Sequence, residues 1–157
     1  MNAVFACLWR FAVILVGYAV ASLAASAFLN VVMLAWFGLA PEETRDVAAG
    51  SLVFTIPFVA LFVAYFGFLP ALPAIVLAEL LGKRDWLFHA LAGGAVSVVV
   101  IAFSRTAGET GYADVADLNL ALVVVGAGMC GGIGYWLVAG RSAGLWRAGA
   151  GVTSPAP

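Results

Sequence analysis

Four long stretches without a charged residue divide this sequence, and they restrict its fold more than any other feature. The helices predicted from them cover roughly residues 11–40, 48–81, 86–104 and 118–140. A helix needs about 20 apolar residues to cross the hydrocarbon core of a bilayer. Ala25-Ser26-Ala27 resembles a signal-peptide cleavage site, but the apolar run continues well past it, so we expect a retained helix. The sequence therefore predicts an all-α fold, an integral membrane bundle of four transmembrane helices.

The composition supports a membrane protein and argues against other classes. Of the 157 residues, 65% are hydrophobic and 10% are charged, whereas a soluble domain of this size needs more charge to cover its surface. The net charge of −1, without a basic patch, gives no sign of nucleic-acid binding. We predict one domain at residues 1–147 and a disordered tail at 148–157. Cys7 and Cys130 lie in apolar runs and are interpreted as buried free thiols.

The distribution of positive charge predicts the orientation in the membrane. One end of the predicted bundle carries five of the seven cationic residues, namely Arg10, Lys83, Arg84, Arg141 and Arg147. Because cytoplasmic loops are enriched in Lys and Arg, we expect both termini in the cytoplasm and the loops at 41–47 and 105–117 in the periplasm. Arginine outnumbers lysine six to one, a bias typical of high-GC bacterial genomes. The expected location is therefore a bacterial inner membrane.

The second helix contains two prolines close together, Pro70 and Pro73. Each proline removes a backbone donor and clashes with the preceding turn of a helix. The uncharged run at 47–78 would also form a straight helix of about 48 Å, longer than the ~30 Å hydrocarbon core. We therefore predict a kink at Pro70 and Pro73, a shorter helical piece up to Leu81, and a C-terminal stop at Gly82.

Glu79 is the strongest candidate for a functional residue. It lies in the apolar sequence IVLAELL, and an ionisable group in a membrane segment is costly enough to suggest a function. One hypothesis is a carboxylate that carries protons or binds a cation. The other is a structural salt bridge to Lys83, four residues later in the order that favours a helix pair. Its position near the membrane interface favours the salt bridge.

Two further polar residues are candidates for an intramembrane site, His89 and Asn30. Metal sites usually need three or four ligands, and His89 is the only histidine, so we predict neither a metal nor a cofactor. We interpret His89 as a polar residue near the interface, or else as a ligand shared across an oligomer or a proton partner of Glu79. Asn30 follows Ser22 and Ser26 at a spacing of four, which indicates either a helix seam or a polar path.

Small residues at a spacing of four indicate close contacts between membrane helices. The predicted packing positions are Ser22, Ser26, Gly93, Gly94, Gly128 and Gly132. Gly126, Gly128 and Gly131 also resemble the G-x-G-x-x-G fingerprint of dinucleotide-binding Rossmann proteins, which requires an acidic residue about 20 positions further on. No Asp or Glu follows Gly131. We therefore interpret these glycines as packing positions.

The expected function follows from many packing positions and little intramembrane chemistry. A single histidine and scattered serines provide no nucleophile–base pair, so we expect a protein that is not an enzyme. The preferred hypothesis is a structural or accessory subunit of a membrane assembly, in contact with the lipid bilayer and with other subunits or copies of itself. The alternative is a small oligomeric transporter or channel that uses Glu79, because broken helices beside an intramembrane acid recur in transport proteins.

Overall fold

The computed structural model describes residues 3–36, 45–107 and 118–144. Its helices are α1 (Ala3–Trp36), α2 (Arg45–Leu81), α3 (Trp86–Ala107) and α4 (Leu118–Val138), followed by a short 3-10 helix, Gly140–Ser142. All four α-helices are long enough and apolar enough to cross a membrane, and the described ranges contain no strand. The predicted all-α bundle of four transmembrane helices is confirmed.

The helix bounds differ from the predicted ones most clearly at the start of α1. This helix begins at Ala3 instead of residue 11, so Arg10 lies within it rather than in front of it. The residues before Arg10 are apolar and continue the helix, and the charge of Arg10 has a partner inside the bundle. The predicted tail at 148–157 and most of the predicted loops at 41–47 and 105–117 lie outside the described residues.

The helices fall into two length classes. α1 has 34 residues and α2 has 37, which correspond to lengths of about 51 and 56 Å at about 1.5 Å per residue. α3 and α4 have 22 and 21 residues, or about 33 and 32 Å. The shorter pair matches the ~30 Å hydrocarbon core. The longer pair therefore has to tilt or to extend beyond the core.

α2 ends in a glycine C-cap of the Schellman type. Gly82 has a φ of 59°, a left-handed conformation that glycine adopts without steric cost. The amide of Lys83 donates to the carbonyl of Ala78 at 3.0 Å, and the amide of Gly82 donates to the carbonyl of Glu79 at 3.4 Å. This pair of bonds is the one that closes a helix end in this motif, and it turns the chain directly towards α3.

The bounds of α2 do not test the predicted kink. α2 is a single helix that contains Pro57, Pro70 and Pro73 in its interior. Prolines are tolerated in membrane helices because neighbouring groups and local adjustments satisfy the freed carbonyls. The kink at Pro70 and Pro73 stays a prediction.

α4 packs closely on both α3 and α1 through glycines. On the α3 side, a Cβ atom at Gly93 would overlap the carbonyl oxygen of Gly128, and one at Gly132 would overlap that of His89. On the α1 side, a Cβ atom at Gly131 would come within 3.0 Å of the carbonyl oxygen of Ala21. Small residues let membrane helices approach to backbone contact, so these three helices form the compact part of the bundle.

α2 packs less closely than the other helices. In its most apolar window only 6% of the residues are buried, against 22% in α1 and α3 and 28% in α4. Two of its backbone carbonyls accept hydrogen bonds from α1: Ser26 donates to the carbonyl of Ile56, and Tyr18 donates to that of Ala64, both at 2.6 Å. α2 is thus attached at defined points while most of its surface is exposed.

Both cysteines are free, as expected. The prediction that both are buried is wrong for Cys7, which is exposed on α1, whereas Cys130 on α4 is half-buried. The reason is that an apolar sequence environment indicates burial in a soluble protein, whereas in a membrane helix it also describes the surface that faces lipid.

Candidate functional site

An ion pair between α1 and α2 lies at the centre of the candidate site. Arg10 and Glu79 contact each other through two pairs of atoms, and Nε of Arg10 donates to Oε2 of Glu79 at 3.2 Å. The two side chains are only 13% and 12% exposed. Two parallel contacts between a guanidinium and a carboxylate give a directional, strong interaction. The hypothesis that Glu79 pairs with Lys83 is wrong, since its carboxylate bonds across helices to Arg10.

Further hydrogen bonds hold both side chains of this ion pair. Arg10 donates to Oγ of Ser142 at 2.7 Å and to the carbonyl of Ala139 at 3.1 Å. The amide of Gly144 donates to Oε2 of Glu79 at 3.3 Å. We call Arg10, Glu79, Ser142 and the Gly144 amide the polar cluster. It joins α1, α2 and the segment after α4 at one end of the bundle.

The turn between α2 and α3 is fixed to the segment after α4 beside this cluster. Nε of Arg84 donates to the carbonyl of Ala143 at 3.0 Å, and Trp136 donates from Nε1 to the carbonyl of Arg84 at 2.7 Å. Gly144 has a φ of 74°, and a Cβ atom there would come within 2.9 Å of Cα of Gly82. Two backbones therefore meet without side chains at this point, which makes glycine necessary on the Gly144 side.

His89 lies next to the cluster, inside the bundle rather than on its surface. It is 4% exposed, and its Nδ1 lies 2.8 Å from the carbonyl oxygen of Asp85. A carbonyl oxygen can only accept, so Nδ1 donates the hydrogen of this bond. The ring stacks on Tyr135 with 5.8 Å between centroids. No hydrogen bond joins His89 to Glu79 in the described part of the chain.

Two buried polar atoms at this end have no hydrogen-bond partner among the described residues, Nε2 of His89 and the hydroxyl of Tyr135. Tyr135 is 6% exposed. A buried donor or acceptor without a partner costs about 1–3 kcal/mol. Such atoms are rare in folded proteins, and each of them requires an explanation.

Both unpartnered atoms belong to residues that line a cavity of about 460 Å³. All four helices contribute to its wall, and none of its lining residues is charged. The lining residues that carry a polar side chain are Tyr18, Ser22, His89, Ser97, Ser104 and Tyr135. The remainder of the wall is apolar or glycine, and the volume falls within the range of about 300–1,000 Å³ of small-molecule sites.

Of the polar residues predicted on α1, Ser26 bonds to α2, whereas Ser22 and Asn30 bond within α1. Ser22 and Ser26 are buried, and Ser26 makes the bond to Ile56 described above. Asn30 donates to the carbonyl of Ser26, on its own helix, at 2.9 Å. Asn30 lies 20 residues after Arg10, or about 30 Å along the helix axis. The structure thus brings Glu79 and His89 to one end of the bundle, but not Asn30.

Arg10 and Tyr135 are the site residues that sequence reasoning missed. One signal was available for Arg10: it is the only cationic side chain before Arg45, and Glu79 is the only acid of α2 between Gly50 and Leu81. The two isolated charges are therefore candidates to pair with each other. No comparable signal exists for Tyr135, because its role depends on a ring contact between α3 and α4.

The described residues contain no group of three or more His, Cys, Asp or Glu that could hold a metal ion. The polar groups of the site instead bind one another, with the two unpartnered atoms as the exceptions. Comparisons of this chain with protein-family models, with curated proteins and with solved structures find no match.

Proposed function

We propose that this chain is a non-enzymatic accessory subunit of a membrane assembly, and that α2 is the helix that contacts the partner subunit. The observation that carries the proposal is an exposed row of large residues along α2. Four helices of this length and composition make a small membrane protein.

The row of large residues has the geometry of a helix-docking surface. Its members recur at spacings of three or four: Phe54, Phe58, Leu61, Tyr65, Leu69 and Leu72. Such spacing places them on one face of the helix. We call this face the α2 stripe. Every member is exposed in the single chain, so the whole stripe is available to another helix.

Tyr65 distinguishes the stripe from an ordinary lipid-facing surface. It is 78% exposed, and its hydroxyl has no hydrogen-bond partner among the described residues. Tyr65 lies at the middle of the 32-residue apolar segment Gly50–Leu81. Any window of about 20 residues within that segment, enough to span the hydrocarbon core, contains Tyr65. A hydroxyl on the lipid side of the core is costly, and a polar group on a partner helix would satisfy it.

The alternative function, an oligomeric transporter or channel that uses Glu79, has less support. A carboxylate that carries protons or binds a cation needs a free position for its cargo. The carboxylate of Glu79 accepts from Arg10 and from the Gly144 amide, and this arrangement favours a fixed structural role. Its test is ion flux through the wild-type protein in liposomes: proton or cation flux well above that of empty liposomes would revive the alternative.

The proposed location is a bacterial inner membrane with both termini in the cytoplasm. An even number of spans puts both termini on the same side. The positive-inside bias then selects the side, and the bonds of Arg10 to Ser142 and of Arg84 to Ala143 support the grouping of the basic residues at one end.

Site-specific photo-crosslinking in the native membrane tests the proposed contact. A photoreactive residue at Leu61 or Leu69 should crosslink to one other membrane protein, because both side chains project from the α2 stripe. The matched controls are Leu91 on α3 and Leu122 on α4, which are also exposed leucines and should give lipid adducts. Equal crosslinking from all four positions, or lipid adducts alone from Leu61 and Leu69, would contradict the proposal.

A further inference from the structure

The cavity between α2 and the other three helices is elongated along the helix axes. Its lining on α2 extends from Phe62 to Ala78, and its lining on α3 extends from His89 to Ser104. At about 1.5 Å per residue, each of these stretches is over about 20 Å long. A round chamber with the same volume of about 460 Å³ would be only about 10 Å across. We call this long, narrow cavity the slot.

The slot is closed at one end and open at the other. Ala78, His89 and Tyr135 line the end beside the polar cluster, and all three are buried. Phe62 and Ser104 line the opposite end, and both are exposed. These two residues belong to the membrane-spanning parts of α2 and α3, so the open end lies against the bilayer. A molecule can therefore enter the slot from the lipid.

The polar side chains of the slot offer little to a polar ligand. The hydroxyls of Tyr18, Ser22 and Ser104 donate to backbone carbonyls of the bundle. The other three polar residues of the lining are buried: His89, Ser97 and Tyr135. Among the described residues, no Asp, Glu, Lys or Arg lines the slot. A polar ligand group would lose its hydrogen bonds to water without replacing them there, so the slot favours an apolar occupant.

The width of the slot selects among apolar occupants. Its volume divided over its length gives an average width of about 5 Å, whereas an α-helix is about 10–12 Å in diameter. A single hydrocarbon chain is narrow enough, because non-bonded carbon atoms approach to about 3.5–4.0 Å. Water is stable in a cavity only where it finds two to four polar partners. An empty slot would deprive its lining of dispersion contacts.

We propose that the slot binds one acyl chain of a bilayer phospholipid, which enters at the open end and extends to Ala78 while its headgroup stays outside. An extended chain advances roughly 1.25 Å per methylene group, since its single bonds are about 1.5 Å long. The slot therefore holds a chain about as long as a palmitoyl group. No residue of the α2 stripe lines the slot, so this inference is independent of the proposed partner contact.

The test is photo-labelling of the full chain in phosphatidylcholine bilayers that contain a palmitoyl phosphatidylcholine with a diazirine at the end of its acyl chain. Adducts are located by tandem mass spectrometry. A chain in the slot should label Ala74 on α2 and Ala92 on α3, which line it. Bulk lipid should label Val98 and Val99, which are exposed on α3 and lie outside the slot. These two valines provide the internal reference for every variant.

A variant that obstructs the slot connects these adducts to it. Gly67 lines the slot, and a Cβ atom there would meet only the Tyr18 hydroxyl, at 3.4 Å, so a larger side chain can be accommodated. Gly67→Leu should abolish the adducts at Ala74 and Ala92 and leave those at Val98. Gly50→Leu is the matched control on the same helix, with open space around it and no contact with the slot, and it should change none of them.

A second variant guards against a folding defect in the first. Ala74→Phe fills the slot nearer its closed end and should abolish the adduct at Ala92, with the Val98 adduct retained. Absence of adducts at Ala74 and Ala92 in the wild-type protein, or an unchanged Ala92 adduct in both slot variants, would overturn the proposal. Loss of the slot adducts on addition of a little squalene would overturn the acyl chain in favour of an isoprenoid.

Discussion

Breaking the Arg10–Glu79 pair from one side should destabilise the bundle strongly. Both side chains are almost nine-tenths buried, so removal of one partner leaves a charge without compensation. Such a change typically costs about 3–5 kcal/mol of unfolding free energy. Arg10→Gln should lie at the upper end of this range, since Arg10 also donates to Ser142 and to Ala139. Glu79→Gln should lie at the lower end, because the long arginine can move its charge towards water.

The double variant provides the decisive comparison. Two glutamines leave no unpaired charge, so the double variant should cost clearly less than the sum of the two single variants, with a coupling of about 2 kcal/mol or more. Lys83→Gln is the control: Lys83 has no ion pair with Glu79, and its removal should change stability by less than about 0.5 kcal/mol.

The assay is reversible unfolding of the purified protein in mixed micelles, titrated with SDS and followed by far-UV circular dichroism. Additive effects of Arg10→Gln and Glu79→Gln would refute the assigned pairing. A loss of stability in Lys83→Gln equal to that in Arg10→Gln would instead favour the pairing of Glu79 with Lys83.

The glycine contact between α3 and α4, the hydroxyls of two tyrosines and the orientation in the membrane can each be tested. Gly132→Ala should lower the free energy of unfolding by about 1–3 kcal/mol in the same assay, because its Cβ would overlap the His89 carbonyl. Gly50→Ala is the control: the space around Gly50 is open, so the change should be neutral or stabilising by up to about 1 kcal/mol. Equal effects of the two variants would argue against the α3–α4 contact. Tyr135→Phe should be as stable as the wild-type protein or slightly more stable, since it removes a hydroxyl without a partner. Tyr18→Phe should lose about 0.5–1.5 kcal/mol of unfolding free energy, because it removes the 2.6 Å hydrogen bond to Ala64. A destabilised Tyr135→Phe would indicate a hydrogen-bond partner of that hydroxyl. Reporter fusions at the C-terminus and within residues 108–117 should give cytoplasmic and periplasmic signals respectively, and the reverse pattern would contradict the proposed orientation.

The number and approximate extent of the helices could be predicted because the bilayer imposes a length on each apolar run. Gly82 could be predicted as a helix stop for a similarly local reason, since its left-handed conformation and the amide bonds around it involve only neighbouring residues. Features that depend on a few consecutive residues are accessible from one sequence.

The partner of Glu79 could not be predicted in the same way. The favoured spacing within a helix suggested Lys83, but the contact that forms is to Arg10, 69 residues away. Tertiary proximity of this kind depends on the tilt and register of two helices, which apolar runs do not encode. The start of α1 at Ala3 has the same origin, because a buried partner allows a charge to lie inside a helix.

The unpartnered atoms of His89 and Tyr135 could not be predicted from the sequence either. Their isolation results from the fit of α3 against α4, in which His89 bonds back to Asp85 and stacks on Tyr135. A sequence shows one histidine and one tyrosine in separate apolar runs, and only the packed bundle shows that the two rings stack on each other.

The most direct test of the proposed function is the mass of the assembly extracted from its native membrane in a mild detergent. Native mass spectrometry should show this chain bound to a second polypeptide at a fixed stoichiometry. The complex should dissociate when Leu61 and Leu69 of the α2 stripe are both replaced by alanine, and it should persist when Leu91 and Leu122 are replaced instead. A monomer, an assembly of this chain alone, or a complex that is indifferent to the α2 stripe would contradict the account.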